Sequence, residues 1–551
     1  MLTVVKQQLS FMFIYLEVRQ RLVLCCFTFL AIINAYTMRL CLDFSLNRIV
    51  SECGVDNEYR NSKVPQVLSP KALPNWRFEL AMSLNHTDNH LRRRLKGGRE
   101  SEDQDQMRGI QKKHFKSRET VIVNPPVQGT PHETISCAEL WSRQTQSLVV
   151  MAFYAGYVLT HVPGGRLAER YGGKWVLGVA ILSSAVLTLL TPAAVRQGGP
   201  YVLVGVRLLV GLCEGPCFPA VCALLAQWVP EQERGVLASC VLSGGEIGIT
   251  MVQLVSGLVM AEQDWPVIFY MVGGGAVVWF LGFILVCYST PDHCPFIQSE
   301  ERDYIRCNTS ASLMLASSRE REVRERPDGG EADEGESSRE IEAAEVPPST
   351  AAPWRSMLTS TSLWALVSAS MHQEFQQKLP QELQKLLEEV NSRGSSLWED
   401  LPATIALIAP HIGNWVAALT TGSLSDHLIA QQILSRTQCR RLMSWLVVIC
   451  GSMYILQIKE NGAQIWSVLA MGAYYAGIKL LPLDMSPNYA GTLMGISSGV
   501  GALPALLMPY LEQLETDYSL VSSVRAALWV IGASYISGDV QAFNQPEPMR
   551  Q

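Results

Sequence analysis

Five charged side chains lie inside long apolar runs of the sequence: Arg39, Asp43, Arg207, Glu214 and Glu246. Charges inside membrane spans are rare, costly to bury and functional by default. Arginine offers a planar fork of donors that matches a carboxylate or a phosphate. A buried carboxylate without a fixed partner is a candidate to gain and lose a proton. The sequence therefore predicts substrate binding by Arg39 and Arg207, and proton or ion coupling by Glu214 and Glu246.

The depths of the two arginines agree with a shared site. Arg39 lies roughly 25 Å from the start of its run, and Arg207 lies roughly 10 Å inside the outer end of its own run. A structural ion-pair network is the alternative, because Asp43 shares a helical face with Arg39 and Glu214 shares one with Arg207. For Glu246, a proton or cation site and a position beside a polar cavity are both open.

The apolar runs that carry these residues are long enough to cross a membrane, which takes roughly 20 residues. Of the 551 residues, 48% are apolar and 17% are charged, where a soluble domain carries about 25% charged. The predicted fold class is an all-α membrane protein of twelve spans in two six-helix halves. Spans 7 and 12 are weak: the run at 357–371 passes into an amphipathic stretch at 375–390, and the last run is short. The predicted runs are 22–46, 145–165, 174–194, 200–229, 235–261, 266–288, 356–374, 403–424, 442–458, 463–481, 489–511 and 522–538.

Basic residues concentrate in the short loops on one side, which predicts that both termini are cytoplasmic. The first external loop contains the glycosylation sequon at Asn85 and is flanked by Cys53 and Cys137, which are candidates for a disulfide. A charged stretch rich in Ser, Glu and Pro is predicted to be a disordered linker. The predicted segments are a cytoplasmic N-terminus (1–21), a first half (22–294) with the external loop (51–136), the linker (295–353), a second half (354–538) and a cytoplasmic tail (539–551).

A short motif, G-x-L-[AS]-[DE], occurs after span 2 and again after span 8. Its recurrence at matching positions indicates a parallel duplication of the kind found in transporters. The glycine permits close helix approach, and the acid can cap a neighbouring helix N-terminus or pair with a basic residue. A charged turn that only sets orientation is the alternative. The predicted conformational latch comprises Gly165, Glu169, Arg170, Gly173, Lys174, Gly422 and Asp426.

Composition and motifs argue against several other classes. The net charge of −6 and the lack of a basic domain argue against a nucleic-acid partner. The 14 cysteines are too dilute for a disulfide scaffold and form no paired CxxC array, so no metal site is predicted. No nucleophile elbow or P-loop is present, and we expect neither enzymatic activity nor a cofactor. The expected partners are a small anionic substrate and membrane lipid, and we expect a monomer.

Several segments together resemble the major facilitator superfamily. The sequence is similar to its anion:cation symporter group, which includes sialin, the vesicular glutamate transporters and the type I sodium/phosphate cotransporters. It most resembles insect proteins labelled as inorganic phosphate cotransporters. The resemblance lies in HVPGGRLAERYGGKWVLG at 161–178, RLLVGLCEGPCFPA at 207–220, WPVIFY at 265–270, STPDH at 289–293 with EERDYI at 300–305, and DMSPNYAGTLMGI at 484–496.

The resemblance implies symport of an anion, inorganic phosphate or organic, with sodium or protons by alternating access. It assigns anion binding to Arg39 and makes Glu214 a candidate for proton coupling, in a plasma, vesicle or lysosome membrane. The sequence departs from the family pattern at Cys41 and Ser498, where Asn is common, and at Glu246, where the residue is usually uncharged. The missing Asn residues and the weak span 7 support the alternative of a transport-inactive membrane protein that acts as an interaction or regulatory partner, whereas the intact Arg39, Arg207 and Glu214 and both copies of the motif favour transport.

Overall fold

A computed structural model describes residues 18–61, 141–262, 264–309, 352–376, 401–456, 463–506, 534–539 and 541. The chain divides into two compact units, and all structural statements below concern the unit outside Gly54–Cys137. Asn85, Cys137, most of the predicted linker, the stretch 377–390 and most of predicted span 12 lie outside the described residues. The side chain of Cys53 also lies outside them, so its predicted disulfide stays a prediction.

The described part of the first half is a succession of helices. The helices are α1 (Gln20–Asn61), α2 (Arg143–Tyr171), α3 (Gly173–Glu214), α4 (Cys217–Trp228), α5 (Arg234–Leu242), α6 (Gly244–Glu262), α7 (Pro266–Val286) and α8 (Ser299–Asn308). Their order follows the predicted apolar runs, since five of these helices (α1, α2, α3, α5 and α7) begin within two residues of the start of a run.

Two breaks in these helices place functional residues. The predicted spans 3 and 4 are joined within α3 at Gly199, whose φ of 64° is a conformation that glycine adopts readily, and Pro200 follows it. Predicted span 5 is divided at Ser243, whose hydroxyl donates to the Ser239 carbonyl oxygen at 2.6 Å. This division puts Glu246 in the first turn of α6, where the helix dipole favours a negative charge.

The described part of the second half is also a succession of helices. A π-helical turn, Tyr475–Lys479, interrupts the helix of predicted span 10, and such turns are frequent at functional sites. The helices are α9 (Trp354–Leu358), α10 (Thr361–Gln376), α11 (Leu401–Ala430), α12 (Arg436–Leu456), α13 (Ala463–Tyr474), α14 (Leu481–Met485) and α15 (Ala490–Gly501).

Within the described residues, five helical stretches are long and apolar enough to cross a membrane, all of them in the first half. The longest, Gly173–Trp228, contains the break at Gly199 and covers two predicted spans. Their outer faces are apolar: Leu159 is 68% exposed and Val278 is 70% exposed. Large exposed aliphatic side chains on such helices suit contact with lipid.

The two halves meet along two interfaces. On one side α2 packs against α15, and on the other α5 and α6 pack against α11. Small residues allow these approaches, because Gly495 lies against the His161 backbone and Gly422 lies against Gly235. The candidate site lies between these two interfaces.

Candidate functional site

Arg39 lies in α1 inside a cage of aromatic rings. Its guanidinium carbon is 4.6 Å from the ring centre of Tyr154, 5.1 Å from Phe153, 5.4 Å from Tyr157 and 5.8 Å from Tyr36. One guanidinium nitrogen also donates to the Tyr154 hydroxyl. The side chain is only 9% exposed. Stacked aromatic faces stabilise the cation by cation–π attraction, so the sequence holds a positive charge deep in the protein.

Arg207 lies beside Arg39, as their predicted depths require. Its Nη2 donates to the Arg39 carbonyl oxygen at 2.9 Å and lies 3.4 Å from Asp43 Oδ1. The Phe153 ring is shared, since the Arg207 guanidinium carbon is 5.2 Å from its centre. Asp43 thus forms its ion pair with Arg207 on α3. The spacing along α1 had favoured a pair between Asp43 and Arg39.

Glu214 ends α3 and is 2% exposed. It interacts electrostatically with both Arg39 and Arg207. Its Oε1 is buried and has no hydrogen-bond partner. A carboxylate near two guanidiniums, without a fixed hydrogen bond on one oxygen, can change partners when it gains or loses a proton.

A small cavity of about 10 Å³, room for roughly one water molecule, lies between the halves next to the aromatic cage. Tyr36 and Tyr157 line it and also flank Arg39, while Lys479 lines it from the second half. Lys479 Nζ lies 3.3 Å from Ser498 Oγ and 4.7 Å from the centre of the Phe218 ring. The cavity therefore has aromatic walls and Lys479 in its lining, while Arg39 lies behind the rings of Tyr36 and Tyr157. It is lined by Tyr36, Tyr157, Phe218, Leu242, Tyr474, Tyr475, Lys479 and Ser498.

Glu246 is placed apart from the arginines, at the interface between α6 and α11. It is 4% exposed, and among the described residues its carboxylate accepts hydrogen bonds only from the other half. His411 Nδ1 lies 2.9 Å from its Oε2, Asn414 Nδ2 donates to Oε2 at 3.0 Å, and the Tyr475 hydroxyl donates to Oε1 at 3.3 Å.

The first copy of the repeated motif joins α2 to α15. Glu169 Oε1 accepts from the Thr492 backbone nitrogen at 2.6 Å, and Oε2 accepts from the Thr492 hydroxyl at 2.7 Å. Arg166 Nη1 also lies 3.0 Å from Oε2. The acid thus caps the N-terminus of α15, and a Cβ on Gly165 would lie 2.3 Å from the Gly491 carbonyl oxygen.

The second copy joins α11 to α5 in the same way. Asp426 Oδ1 accepts from the Gly235 nitrogen and Oδ2 from the Val236 nitrogen, both at 2.8 Å. Burial raises the pKa of Asp426 to about 6, although the two backbone donors and Arg440 act to lower it. A Cβ on Gly422 would lie 2.5 Å from the Gly235 carbonyl oxygen.

Three of the predicted latch residues have contacts within their own half. Gly173 lies against Leu224, the Arg170 guanidinium lies 5.5 Å from the Tyr171 ring centre, and Lys174 Nζ lies 4.2 Å from that of Tyr288. These contacts hold the turn after α2 against the first half.

A buried ion network lies beside the second copy and was not predicted. Asp484 lies 3.4 Å from Arg234 Nη1 and 2.7 Å from Arg440 Nε, and all three side chains are at most 2% exposed. Burial raises the pKa of Asp484, but Arg440, Arg234 and Arg436 lower it more, so that it lies below its usual value. The sequence signal was ambiguous, because residues at the ends of spans usually contact water.

Sequence reasoning also missed Lys479, His411, Asn414 and Tyr475. Lys479 lies near the end of predicted span 10, where a lysine is expected to lie at the membrane interface. The polar residues His411 and Asn414 inside an apolar run were the available signal, as they were for Arg39 and Arg207.

Comparisons with known proteins agree with this architecture. The family model described as Major Facilitator Superfamily matches residues 113–509. Sialin of Homo sapiens is 28% identical over 425 residues, covering 73% of this chain and 77% of sialin. A Drosophila melanogaster protein named as a candidate inorganic phosphate cotransporter is 26% identical over 439 residues, 75% of each chain. The solved structure of the proton:xylose symporter XylE, bound to 6-bromo-6-deoxy-D-glucose, aligns with a TM-score of 0.52 at 11% identity, covering 94% of this chain and 97% of that one.

Proposed function

Because the chain belongs to the Major Facilitator Superfamily, whose members are integral membrane transporters and not enzymes, we propose that it carries a small anion across a membrane by alternating access. The observation that carries this proposal is the caged guanidinium of Arg39 beside a cavity between the two halves. A cation buried there at a cost of several kcal/mol offers an anion a dry site that opens to one side at a time.

The composition of the cavity favours an organic anion over inorganic phosphate. Lys479 lines it from the second half, and Arg39 lies behind its Tyr36 and Tyr157 walls in the first half, so an anion that parts these rings would contact cations of both halves. The walls between them are the rings of Tyr36, Tyr157 and Phe218. Such faces stack on the ring or apolar body of an organic molecule, whereas phosphate would leave them uncovered.

Coupling is proposed to use Glu214 and Glu246, with a proton or sodium gradient as the driving force. Glu214 lies within electrostatic reach of both arginines. When it is protonated, a guanidinium is available to the anion; when it is ionised, it competes for that guanidinium. The proton and the anion are then carried together. Arg207, paired with Asp43, is proposed to position Arg39 and to complete the anion site.

The latch is proposed to hold one conformation of the transporter. Glu169 and Asp426 each cap a helix of the opposite half, so both contacts must separate when that end of the protein opens. Opening that end, which is predicted to be cytoplasmic, would admit the substrate from that side.

Uptake into proteoliposomes tests the proposal. Radiolabelled phosphate, glutamate and an acidic sugar are compared, with proton and sodium gradients imposed separately. We expect gradient-driven uptake of an organic anion and its loss by at least about tenfold in Arg39→Ala, because a paired charge in a dry site is worth more than 1.4 kcal/mol. Arg196→Ala, at an exposed arginine, is the matched control and should retain uptake. No uptake of any of the three anions would favour the transport-inactive alternative.

A further inference from the structure

We infer that Glu246 and His411 together hold one exchangeable proton between the two halves, and that α6 closes against α11 only when this proton is bound. The inference deepens the proposed coupling role of Glu246 and rests on the proposed function for the use of the proton, but proton-linked closure itself can be measured without transport. The pair joins one residue of the first half to one of the second.

Among the described residues, the hydrogen bonds to the Glu246 carboxylate all come from the second half. Both carboxylate oxygens are occupied, Oε2 by His411 Nδ1 at 2.9 Å and Asn414 Nδ2 at 3.0 Å, and Oε1 by the Tyr475 hydroxyl at 3.3 Å. These donors leave together when the halves separate. Glu246 therefore has one environment when the interface is closed and another when it is open to water.

The surroundings of the pair decide its charge. Among the described residues, the ion-pair partner of Glu246 is His411. From α1, Phe29 and Tyr36 pack against Gly244 and Gly245, which precede Glu246. The titratable groups that face the cluster are thus His411 on α11, Tyr475 and Lys479 on the π-helical turn, and Tyr36 on α1, and the last three line the adjacent cavity.

A single proton makes the closed pair neutral. It can be a carboxylic acid beside a neutral imidazole, or a carboxylate beside an imidazolium, which the dipole at the N-terminus of α6 favours. If that proton leaves, a carboxylate with only neutral donors remains buried, which costs several kcal/mol. The halves then gain by separating, because water solvates the carboxylate.

Asn414 can serve both forms of the pair. Its Nδ2 donates to the carboxylate, while its Oδ1 is buried without a hydrogen-bond partner. Rotation of the amide would present Oδ1 as an acceptor to the protonated acid. The cluster includes a ring nitrogen and an amide nitrogen, whereas a sodium ion, like other hard cations, takes oxygen ligands. The cluster therefore fits a proton.

The Glu246–His411 pair lies well inside the interface, away from the end that the latch occupies. Glu246 is roughly 18 Å along the α5–α6 segment from Arg234, and His411 is roughly 22 Å along α11 from Asp426. The same interface is thus joined at its end by the latch and at mid-depth by the pair. Proton binding at mid-depth would change the stability of the whole interface.

The test measures closure in the full chain in nanodiscs, without substrate. Labels on unnatural amino acids at the exposed positions Tyr171 and Ile433, one in each half, report the distance between the halves across pH 4 to 9. Every protein carries Asp426→Asn, which removes the titration of the second copy of the latch motif and leaves Glu169 the same in all variants. We expect the closed fraction to fall with rising pH, by up to about tenfold in the closure equilibrium per pH unit, as for one proton.

Variants separate the pair from other groups. Glu246→Gln, which cannot ionise, should stay closed across the range, while Glu300→Gln, at an exposed carboxylate of α8, should titrate like the parent protein. His411→Gln should lower the pH at which opening occurs, because the imidazolium can no longer compensate the carboxylate. Unchanged pH dependence in Glu246→Gln would overturn the inference, as would closure that follows sodium at constant pH.

The outcome is separable from that of the uptake assay. Proton-linked closure with no uptake of any anion would refute the proposed function and leave the proton site standing. Uptake that is lost in Arg39→Ala, combined with closure that ignores Glu246, would refute the proton site and leave the proposed function standing.

Discussion

Each of the two interfaces between the halves has, at one end, an acid that caps a helix of the opposite half. The interfaces differ in the residues that lie deeper between the helices. At the α2–α15 interface, Glu169 caps α15. Deeper in this interface, small residues pack against the backbone of the other helix, as Gly495 does against His161. At α5/α6–α11, Asp426 makes the equivalent cap, but the depth contains Glu246 and His411. His161 is buried too, yet its Nδ1 contacts the Tyr157 carbonyl oxygen of its own helix.

This difference shows how a duplicated fold can divide its tasks. Both sides must separate for transport, and the motif supplies both with a contact that forms and breaks as a unit. Within the described residues, the α5/α6–α11 side alone combines that contact with an acid–histidine pair across the halves. We therefore expect the α2–α15 side to set the mechanical stability of closure, and the other side to make closure sensitive to protons.

The largest expected effect comes from breaking the closest backbone approach. Gly165→Ala would put a Cβ at 2.3 Å from the Gly491 carbonyl oxygen, and backbone cannot yield as a side chain can. Overpacking of this kind costs about 1–3 kcal/mol, so the closed fraction should fall by roughly 5- to 150-fold. The distance between labels at positions 171 and 433 measures it.

Gly205→Ala is the matched control, because nothing lies within 4 Å of the corresponding Cβ. If the control opened the protein as much as Gly165→Ala does, the α2–α15 approach would not be the cause. Gly422→Ala repeats the experiment on the other interface, where the approach is 2.5 Å and a similar loss is expected.

Removal of either cap should have a moderate effect. Glu169→Ala and Asp426→Ala each leave helix N–H groups without an acceptor, and such losses typically cost about 0.5–2 kcal/mol. Measured by the same label distance, both should reduce closure, and the double variant should lose about the sum, since the two caps lie on different interfaces. A strong departure from additivity would show that the interfaces do not close independently.

The pH dependence of the Asp426 cap has a defined direction. The pKa of Asp426 is raised to about 6 by burial, so the closed contact binds a proton that an open, solvated Asp426 would release. Its contribution to closure is fully present below the ordinary pKa of about 3.9 and is lost as pH rises through 6. Titration of closure in a Glu246→Gln background isolates this effect, and Asp426→Asn should abolish it. A closed fraction that increases from pH 5 to 7 would contradict the assignment.

The smallest effect is expected at Arg170. Although it belongs to the predicted latch, its side chain is exposed and contacts Tyr171 of its own helix. Arg170→Gln should change closure by less than about 0.5 kcal/mol, as most surface substitutions do. If Arg170→Gln reduced closure as much as Glu169→Ala does, Arg170 would have to take part in the contacts between the halves.

The sequence alone predicted the membrane class, the duplication and the superfamily, and the comparisons confirm the superfamily and its fold. These features are local: spans follow from apolar length, and the repeat follows from a motif of five residues. The count of twelve spans and the orientation stay predictions. The sequence also identified Arg39, Arg207, Glu214 and Glu246, because a charge in an apolar run is visible without knowledge of its neighbours.

The partners of those charges were decided by the tertiary structure. Spacing along a helix pointed Asp43 toward Arg39, yet its ion pair is with Arg207 on another helix. Lys479 and Asp484 both had the appearance of interfacial residues, but one lines the cavity and the other is buried between two arginines. The sequence reveals which residues are costly to bury, whereas contacts between residues more than a hundred positions apart depend on how the helices of two halves pack.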